Sequence, residues 1–474
     1  MQPTTASELA GLAGARLLGA ADAVVGPDVV IDSRAVTPGC LFVALPGERV
    51  DGHDFAAAAV GAGAAAVLVT HDVDVEAPRL VAEDAAAALA ELATGIVSRA
   101  ARAGLSSIGV TGSSGKTSTK DLMAQVLAEA GPTVAPAGSA NNEIGVPLTA
   151  CRVDASTRFL VSELGARGKG HISWLCGIVR PAVGAVLNVG HAHVGEFGSV
   201  DAIAEAKGEL VEALPVSGWA VLNADDHRVL AMAARTPAQI ATFATSGEPS
   251  TGELRVWADT VTTDQLQRAT FRLRASGIVA GEAVVRLRVS GSHQVANALA
   301  AAAVGLSQGM TVDAVASALG RATRRSRWRM ELAGREDGLL VVNDAYNANP
   351  DSMDAALRAV AAMRREGGRL VAVLGDMLEL GADAAEAHRR VGETAATLGF
   401  DHIVVLGEFA SDLAAGAGSR GARVDQVADR AEAVRRVATS VAGPDVVLVK
   451  ASRGLALETV AEQLGAEPAT EVER

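Results

Sequence analysis

Apolar residues fall along the chain in two patterns, short continuous runs and helical stripes. Runs at Val29-Val30-Ile31, Leu41-Phe42-Val43 and Val67-Leu68-Val69 predict strands, with Ala-rich helices starting near Asp54 and Asp84. This first unit ends near Gly104, so residues 1–103 read as a small α/β domain. A second unit, 104–325, opens with a strand at 107–111, a glycine turn and a helix stopped by Gly131-Pro132. Further strands, expected at 159–161 and 183–189, alternate with helices and imply a mostly parallel sheet. Residues 254–290 carry strand-like stretches with no helix between them, an antiparallel addition. In the third unit, 326–474, strands at 339–342, 370–374, 403–406 and 446–449 alternate with amphipathic helices, the pattern of a doubly wound, Rossmann-like sheet. No GxGxxG follows its first strand, so a dinucleotide is not indicated.

Composition narrows the function classes. The 474 residues are 49% hydrophobic and 20% charged, which excludes extended disorder. A net charge of −13 argues against nucleic-acid or anionic-membrane binding, so an anionic substrate needs a local cationic pocket. Cys40, Cys151 and Cys176 lack metal spacing and fit a reducing, cytoplasmic setting. The N-terminal residues do not read as a signal peptide, and no apolar run is long enough to insert in a membrane.

The strongest local signal is Thr111-Gly112-Ser113-Ser114-Gly115-Lys116-Thr117-Ser118 between a strand and a helix. Glycines let backbone N–H groups turn toward phosphate oxygens, and the helix N-terminus adds positive potential. Lys116 is placed to reach the β/γ-phosphates and the Thr117 hydroxyl to bind Mg²⁺. The spacing departs from the usual P-loop, with Val110 where the first glycine stands. Glu163 ends the next strand, where a carboxylate either faces the ligand crevice or is merely a solvated strand end. His191, His193 and Glu196 share a glycine-rich loop suited to metal or phosphate chemistry, although loop histidines are commonly idle. Lys207 reads in isolation as a solvated partner of Glu205 or Glu209. His293 and Asn297 open an Ala-rich helix. Arg324, Arg325, Arg327 and Arg329 form either a phosphate-stabilising cluster or a solvated linker. In the third unit Asn349 caps a helix that starts at Pro350, which leaves Asp344, Tyr346 and Asn347 at a strand's C-terminal end. Gly375-Asp376-Met377 and Lys450-Ala451-Ser452-Arg453 collect on the same edge.

Together these segments resemble the Mur ligases of peptidoglycan synthesis across essentially the whole chain. The resemblance is carried by Asp32-Ser33-Arg34, Phe42-Val43-Ala44-Leu45-Pro46-Gly47 with Asp51-Gly52-His53-Asp54-Phe55, the short phosphate loop, Asn141-Asn142-Glu143-Ile144-Gly145-Val146-Pro147, Tyr346-Asn347-Ala348-Asn349-Pro350 and Gly375-Asp376-Met377. It implies a UDP-binding first domain, a central ATPase domain and a Rossmann-like third domain carrying the incoming amine. Within the family the chain looks like the branch that joins D-alanyl-D-alanine to UDP-N-acetylmuramoyl-tripeptide through an acyl phosphate, as a cytoplasmic, monomeric enzyme. By the same similarity residues 111–118 with His293, Asn297, Arg329 and Asp344 hold ATP. Two Mg²⁺ ions are implied, with Thr117, Glu163, His193 and a carbamylated Lys207 as ligands, and Lys116, Glu163, His193 and Lys207 are the implied catalytic residues. Ser33 and Arg34 would lie by the UDP group, Asn142 by the UDP-linked substrate, and Tyr346, Asn347, Asn349, Lys450 and Arg453 by the dipeptide. Asn343 and Ala451 depart from residues common in the family, as does the order Gly195-Glu196.

Other readings remain at this point: a sibling ligase adding a single amino acid, a folate polyglutamyl ligase, or a regulatory P-loop protein without ligation. The Tyr-Asn-Ala-Asn-Pro segment and the Asn141-Asn142 pair weigh against the first two. The UDP-type segments of the first domain weigh against the third.

Overall fold

A computed structural model describes residues 1–47, 50–190 and 194–466. Its main sheets follow one another along the chain, in residues 16–81, 106–290 and 331–450. The first has five strands, with Val29–Val30, Leu41–Val43, Ala66–Val69 and Arg79–Val81 running parallel. The helix expected near Asp54 begins later, at Ala56, because the Asp51 side chain accepts from the His53 N–H and winds Gly52–Phe55 into a 3₁₀ turn. The second helix starts where expected, with Asp84 capping Ala85–Arg102.

The central sheet has nine strands. Ser106–Thr111 lies between Phe159–Glu163 and Val183–Val186, all parallel, so the C-terminal ends of three neighbouring strands open on one edge. Its far edge is the expected antiparallel addition, built from Leu254–Thr263, Arg268–Gly277 and Gly281–Ser290. The strand expected to run to Val189 stops at Val186; beyond it the chain follows the glycine turn, the Leu187 N–H donating to the Thr111 carbonyl at 3.0 Å.

In the third sheet Leu340–Asn343, Val446–Lys450, Leu370–Leu374, His402–Val405 and Arg423–Gln426 run parallel in that spatial order. Glu331–Gly334 adds an antiparallel edge. The sheet is covered on both faces by its own apolar clusters. The first two units instead share a core. Leu89, Leu92 and Val97 of the helix Ala85–Arg102 cluster with Val146, Ala150, Ile172 and Leu175 of the central unit. The first two units are thereby bound by hydrophobic burial, while the third joins through residues 322–330, with Leu266 of the central unit packed against its core. No helix among the described residues is long and apolar enough to cross a membrane.

Candidate active site

The glycine turn becomes a loop through its braces. The Ser113 N–H donates to the Asn188 carbonyl at 3.1 Å, and the Ser114 N–H donates to Asn188 Oδ1 at 2.9 Å. Gly190 N–H donates to Ser113 Oγ at 2.8 Å, tying the loop to the next one. Gly115 sits at φ +80°, and a Cβ there would stand 2.7 Å from Asn297 Oδ1, so only glycine fits. The helix Lys116–Ala128 then begins, and its first amides point into the cleft without helical partners. Thr111 and Gly112 stand behind this surface; the Thr111 hydroxyl is buried and donates to the Leu164 carbonyl at 2.9 Å.

Glu163 is buried at 1% exposure, not solvated. One of its oxygens accepts from Thr117 Oγ1 at 2.8 Å; the other accepts from Ser139 Oγ at 2.7 Å and Asn141 Nδ2 at 2.8 Å. Three donors hold an anionic oxygen pair beside the loop. Lys116 Nζ donates to the Gly112 carbonyl at 2.6 Å, and burial lowers its pKa below the usual lysine value, with Glu163 opposing that shift.

Lys207 is no surface partner. It is 4% exposed, and burial, reinforced by the nearby Lys116 charge, lowers its pKa well below 10.5. The two carboxylates beside it in sequence are engaged elsewhere. Glu205 pairs with Lys169 at 3.3 Å, while Glu209 accepts from the Gly170 and Ser173 N–H groups at 2.6 and 2.9 Å. A buried amine, its charged form disfavoured by burial, is left facing the same cleft as Lys116 and Glu163.

That cleft has a volume of about 610 Å³ and lies between the central and third units. From the central unit it is lined by residues 113–118, Asn142, Glu163, Lys207, His293 and Asn297, and from the other side by Arg329, Asp344, Tyr346, Asn347, Asn349, Lys450 and Arg453. Several of these are committed. Asn142 Oδ1 accepts from the Gly145 N–H at 2.8 Å where the helix Gly145–Ala150 begins, and Asn349 forms a capping box with Ser352. Lys450, 2% exposed, gives its ammonium to Asp344 at 2.6 Å and to the Asn347 carbonyl at 2.8 Å, so it orients Asp344. Arg453 stacks over Trp328 at 4.3 Å and pairs with Glu458. Arg329 stacks over Tyr346 at 4.2 Å, and its Nε is buried without a partner among the described residues, as is His293 Nδ1. Burial lowers the His293 pKa, Asp344 opposes the shift and Lys450 adds to it, leaving a neutral imidazole at the cleft wall.

Ser33 and Arg34 are not brought to this cleft. They form a 3₁₀ turn on the first unit, where Arg34 pairs with Asp32 at 2.7 Å. His193 lies outside the described residues. Among the described residues no group of three or more His, Cys, Asp or Glu is clustered as a metal site. The oxygen pair of Thr117 and Glu163 nevertheless suits Mg²⁺, which takes one or two carboxylates and completes its shell with phosphates and water. Asn188, Ser139 and Asn297 (the residues that shape loop and carboxylate) join segments far apart in sequence.

A braced glycine loop at a helix N-terminus, a buried carboxylate across from it and an opposing α/β sheet define a phosphate-loop nucleotide-binding enzyme. The family models agree along the chain: "Mur ligase family, catalytic domain" matches residues 28–108, "Mur ligase middle domain" 110–305, and "Mur ligase, glutamate ligase domain" 328–453. The UDP-N-acetylmuramoyl-tripeptide–D-alanyl-D-alanine ligase of Mycobacterium tuberculosis (strain H37Rv) is 46% identical, over 93% of this chain and 92% of that one. Its namesake from Escherichia coli K12 is 36% identical over 98% and 99%. Among solved structures, MurF from Acinetobacter baumannii superposes with TM-score 0.84 at 32% identity, covering 98% of this chain and 99% of its own. MurF ligase from Thermotoga maritima in complex with ADP gives 0.76 at 27% identity over 92% and 97%. The chain belongs to the Mur ligase family.

Proposed function

We propose that this protein is an ATP-dependent amide ligase that joins D-alanyl-D-alanine to UDP-N-acetylmuramoyl-tripeptide in peptidoglycan precursor synthesis. The observation that carries the reading is the facing of the Thr117–Glu163 oxygen pair and Arg329 across one cleft, together with near full-length identity to ligases of that name. ATP seats its polyphosphate on the N-terminal amides of the helix Lys116–Ala128, with Lys116 and Arg329 supplying positive charge. The buried Arg329 Nε and His293 Nδ1 find partners on the nucleotide. Asp344, oriented by Lys450, reaches it from the third unit.

Thr117, Glu163, His193 and Lys207 as a carbamate would hold two Mg²⁺ ions, which supply charge neutralisation for the transferring phosphoryl group. A neutral amine is the form that reacts with CO₂, and burial, by lowering the Lys207 pKa, favours that form. The carbamate would turn a buried amine beside Lys116 into an oxygen ligand.

The tripeptide's terminal carboxylate attacks the γ-phosphorus, the bond to the β-phosphate oxygen breaks, and ADP leaves. The amine of D-alanyl-D-alanine then attacks the acyl phosphate carbonyl; the C–N bond forms, phosphate departs with the C–O electrons, and the amine gives up a proton. The chain contributes positioning, a field of fixed dipoles and exclusion of water. We place the UDP-binding domain at residues 1–103, the ATPase domain at 104–325 and the amine-delivering domain at 326–474, and expect a monomeric cytoplasmic enzyme. Ser33 and Arg34 serve the UDP end, and Asn142 the peptide linked to it. Tyr346, Asn347, Asn349 and Arg453 line the dipeptide end.

ADP release measured with each substrate omitted in turn tests this. Turnover should need ATP, UDP-N-acetylmuramoyl-tripeptide and D-alanyl-D-alanine together. Turnover with a single amino acid or a folate acceptor in place of its partner would assign a sibling activity.

A further inference from the structure

We infer that Gln125 and Asp121, on the helix that begins at the phosphate loop, are positioning residues for Arg329. They hold the connecting segment so that this guanidinium stands in the nucleotide cleft. The inference rests on reading that cleft as the ATP seat.

The contacts are specific to the backbone. Gln125 accepts from the Thr323 N–H at 3.0 Å and donates to the Thr323 carbonyl at 2.8 Å, so one carboxamide satisfies both main-chain groups of one residue. Asp121, 5% exposed, accepts from the Ser326 N–H at 2.8 Å on one oxygen and from Lys120 on the other. Lys120 is itself 1% exposed and also donates to the Pro136 carbonyl at 2.9 Å. A buried ion pair of this kind adds little stability over an apolar pair, and its gain is a fixed geometry.

Beyond Ser326 the segment passes to the third unit. Tyr346 N–H donates to the Trp328 carbonyl at 3.1 Å, and Met330 N–H donates to Asp344 Oδ1 at 2.9 Å. Trp328 and Met330 stand in the left-handed region at φ +58° and +50°, which non-glycine residues hold only when pinned. Arg329 sits between them. It is gripped from before by the phosphate-loop helix and from after by the third sheet. The neighbouring arginines point elsewhere: Arg324 pairs with Glu331 at 2.9 Å, and Arg327 stacks on Trp328 and reaches Glu462 at 3.4 Å. The helix that presents Lys116 and Thr117 to a polyphosphate therefore also sets the cation arriving from the other side.

A double-mutant cycle on the full-length enzyme tests this, with Gln125→Ala, Arg329→Ala and the pair, reading kcat/KM for ATP in ligation and ATP affinity by calorimetry. Arg329→Ala should lose about 100-fold and Gln125→Ala about tenfold, with the pair no worse than Arg329→Ala alone. Asp121→Asn, which keeps an acceptor for Ser326, should lose less than Asp121→Ala. Losses that multiply in the pair, or an unaltered kcat/KM in Gln125→Ala, would overturn the inference. If the alanine variant does not fold, Gln125→Met enters the same cycle with the same criterion. Calorimetry reads the cycle even if ligation is absent, so failure of the ligase reading and failure of the positioning role are separable.

Discussion

Replacing Glu163 by Gln keeps the volume of the buried side chain and removes its charge, which isolates what the carboxylate does. Three donors converge on it, from Thr117, Ser139 and Asn141. The amide oxygen can still accept from Ser139 and Asn141, and the Thr117 hydroxyl can rotate to accept from the new NH₂ group. Three charge-assisted hydrogen bonds become neutral ones, at a cost of about 1–3 kcal/mol in total. On a chain of this size that lowers the unfolding midpoint by only a few degrees. Activity should respond far more if Glu163 holds the proposed Mg²⁺ beside the transferring phosphoryl group; a loss of about 100- to 1,000-fold in kcat is expected. Coupled ADP release, with Mg²⁺ varied at saturating substrates, reads both kcat and the metal requirement. An E163Q enzyme with unaltered kcat and Mg²⁺ dependence would refute the metal-facing role, whatever its stability.

Lys207→Met should fold with stability equal to or about 1 kcal/mol above the parent, because an apolar chain of similar length replaces a desolvated amine, yet ligation should vanish; thermal melts and the ADP assay together check this, and an active variant would contradict it. Gly115→Ala puts a Cβ 2.7 Å from Asn297 Oδ1 at a left-handed position, so ATP affinity measured by calorimetry should fall by about tenfold or more, and an unaltered affinity would mean the loop does not seat the polyphosphate. His388, fully buried, accepts from the Met377 N–H at 2.8 Å, and burial lowers its pKa below 6.5. Between the folded value and 6.5 the unfolded chain binds the extra proton, so this residue's contribution to stability falls as pH drops below 6.5. His388→Asn should flatten that part of the pH–stability curve, read by thermal melts; an equally steep curve would refute the assignment.

Legibility in the sequence followed burial and distance along the chain. Leu370–Leu374 matches its expected bounds because a strand covered on both faces is a continuous apolar run. Arg268–Gly277 alternates strictly, with Ala269, Phe271, Leu273 and Ala275 buried and Arg272 and Arg274 outward, paired across the sheet with Glu282 and Asp259; two of its four inward residues are alanines, so it has no continuous apolar run. Arg423–Gln426 is a half-exposed edge with a single aliphatic residue. The phosphate loop, Glu163 and the third-unit polar edge stand out locally, as residue types at strand ends. What shapes them does not. Asn188 braces Ser114 across 74 residues, and Asn297 meets Thr119 across 178, contacts that exist only once the strand order is set. For Lys207, the acidic neighbours on its own helix pointed to solvent, whereas packing against the central sheet buries it.

In the proposed reaction a carboxylate is phosphorylated by ATP before an amine displaces the phosphate. The direct test is oxygen transfer from UDP-N-acetylmuramoyl-tripeptide carrying ¹⁸O in its terminal carboxylate, with the released phosphate read by mass spectrometry. One labelled oxygen should appear in phosphate for each amide formed. Unlabelled phosphate accompanying amide formation would show that ATP is spent without activating that carboxylate.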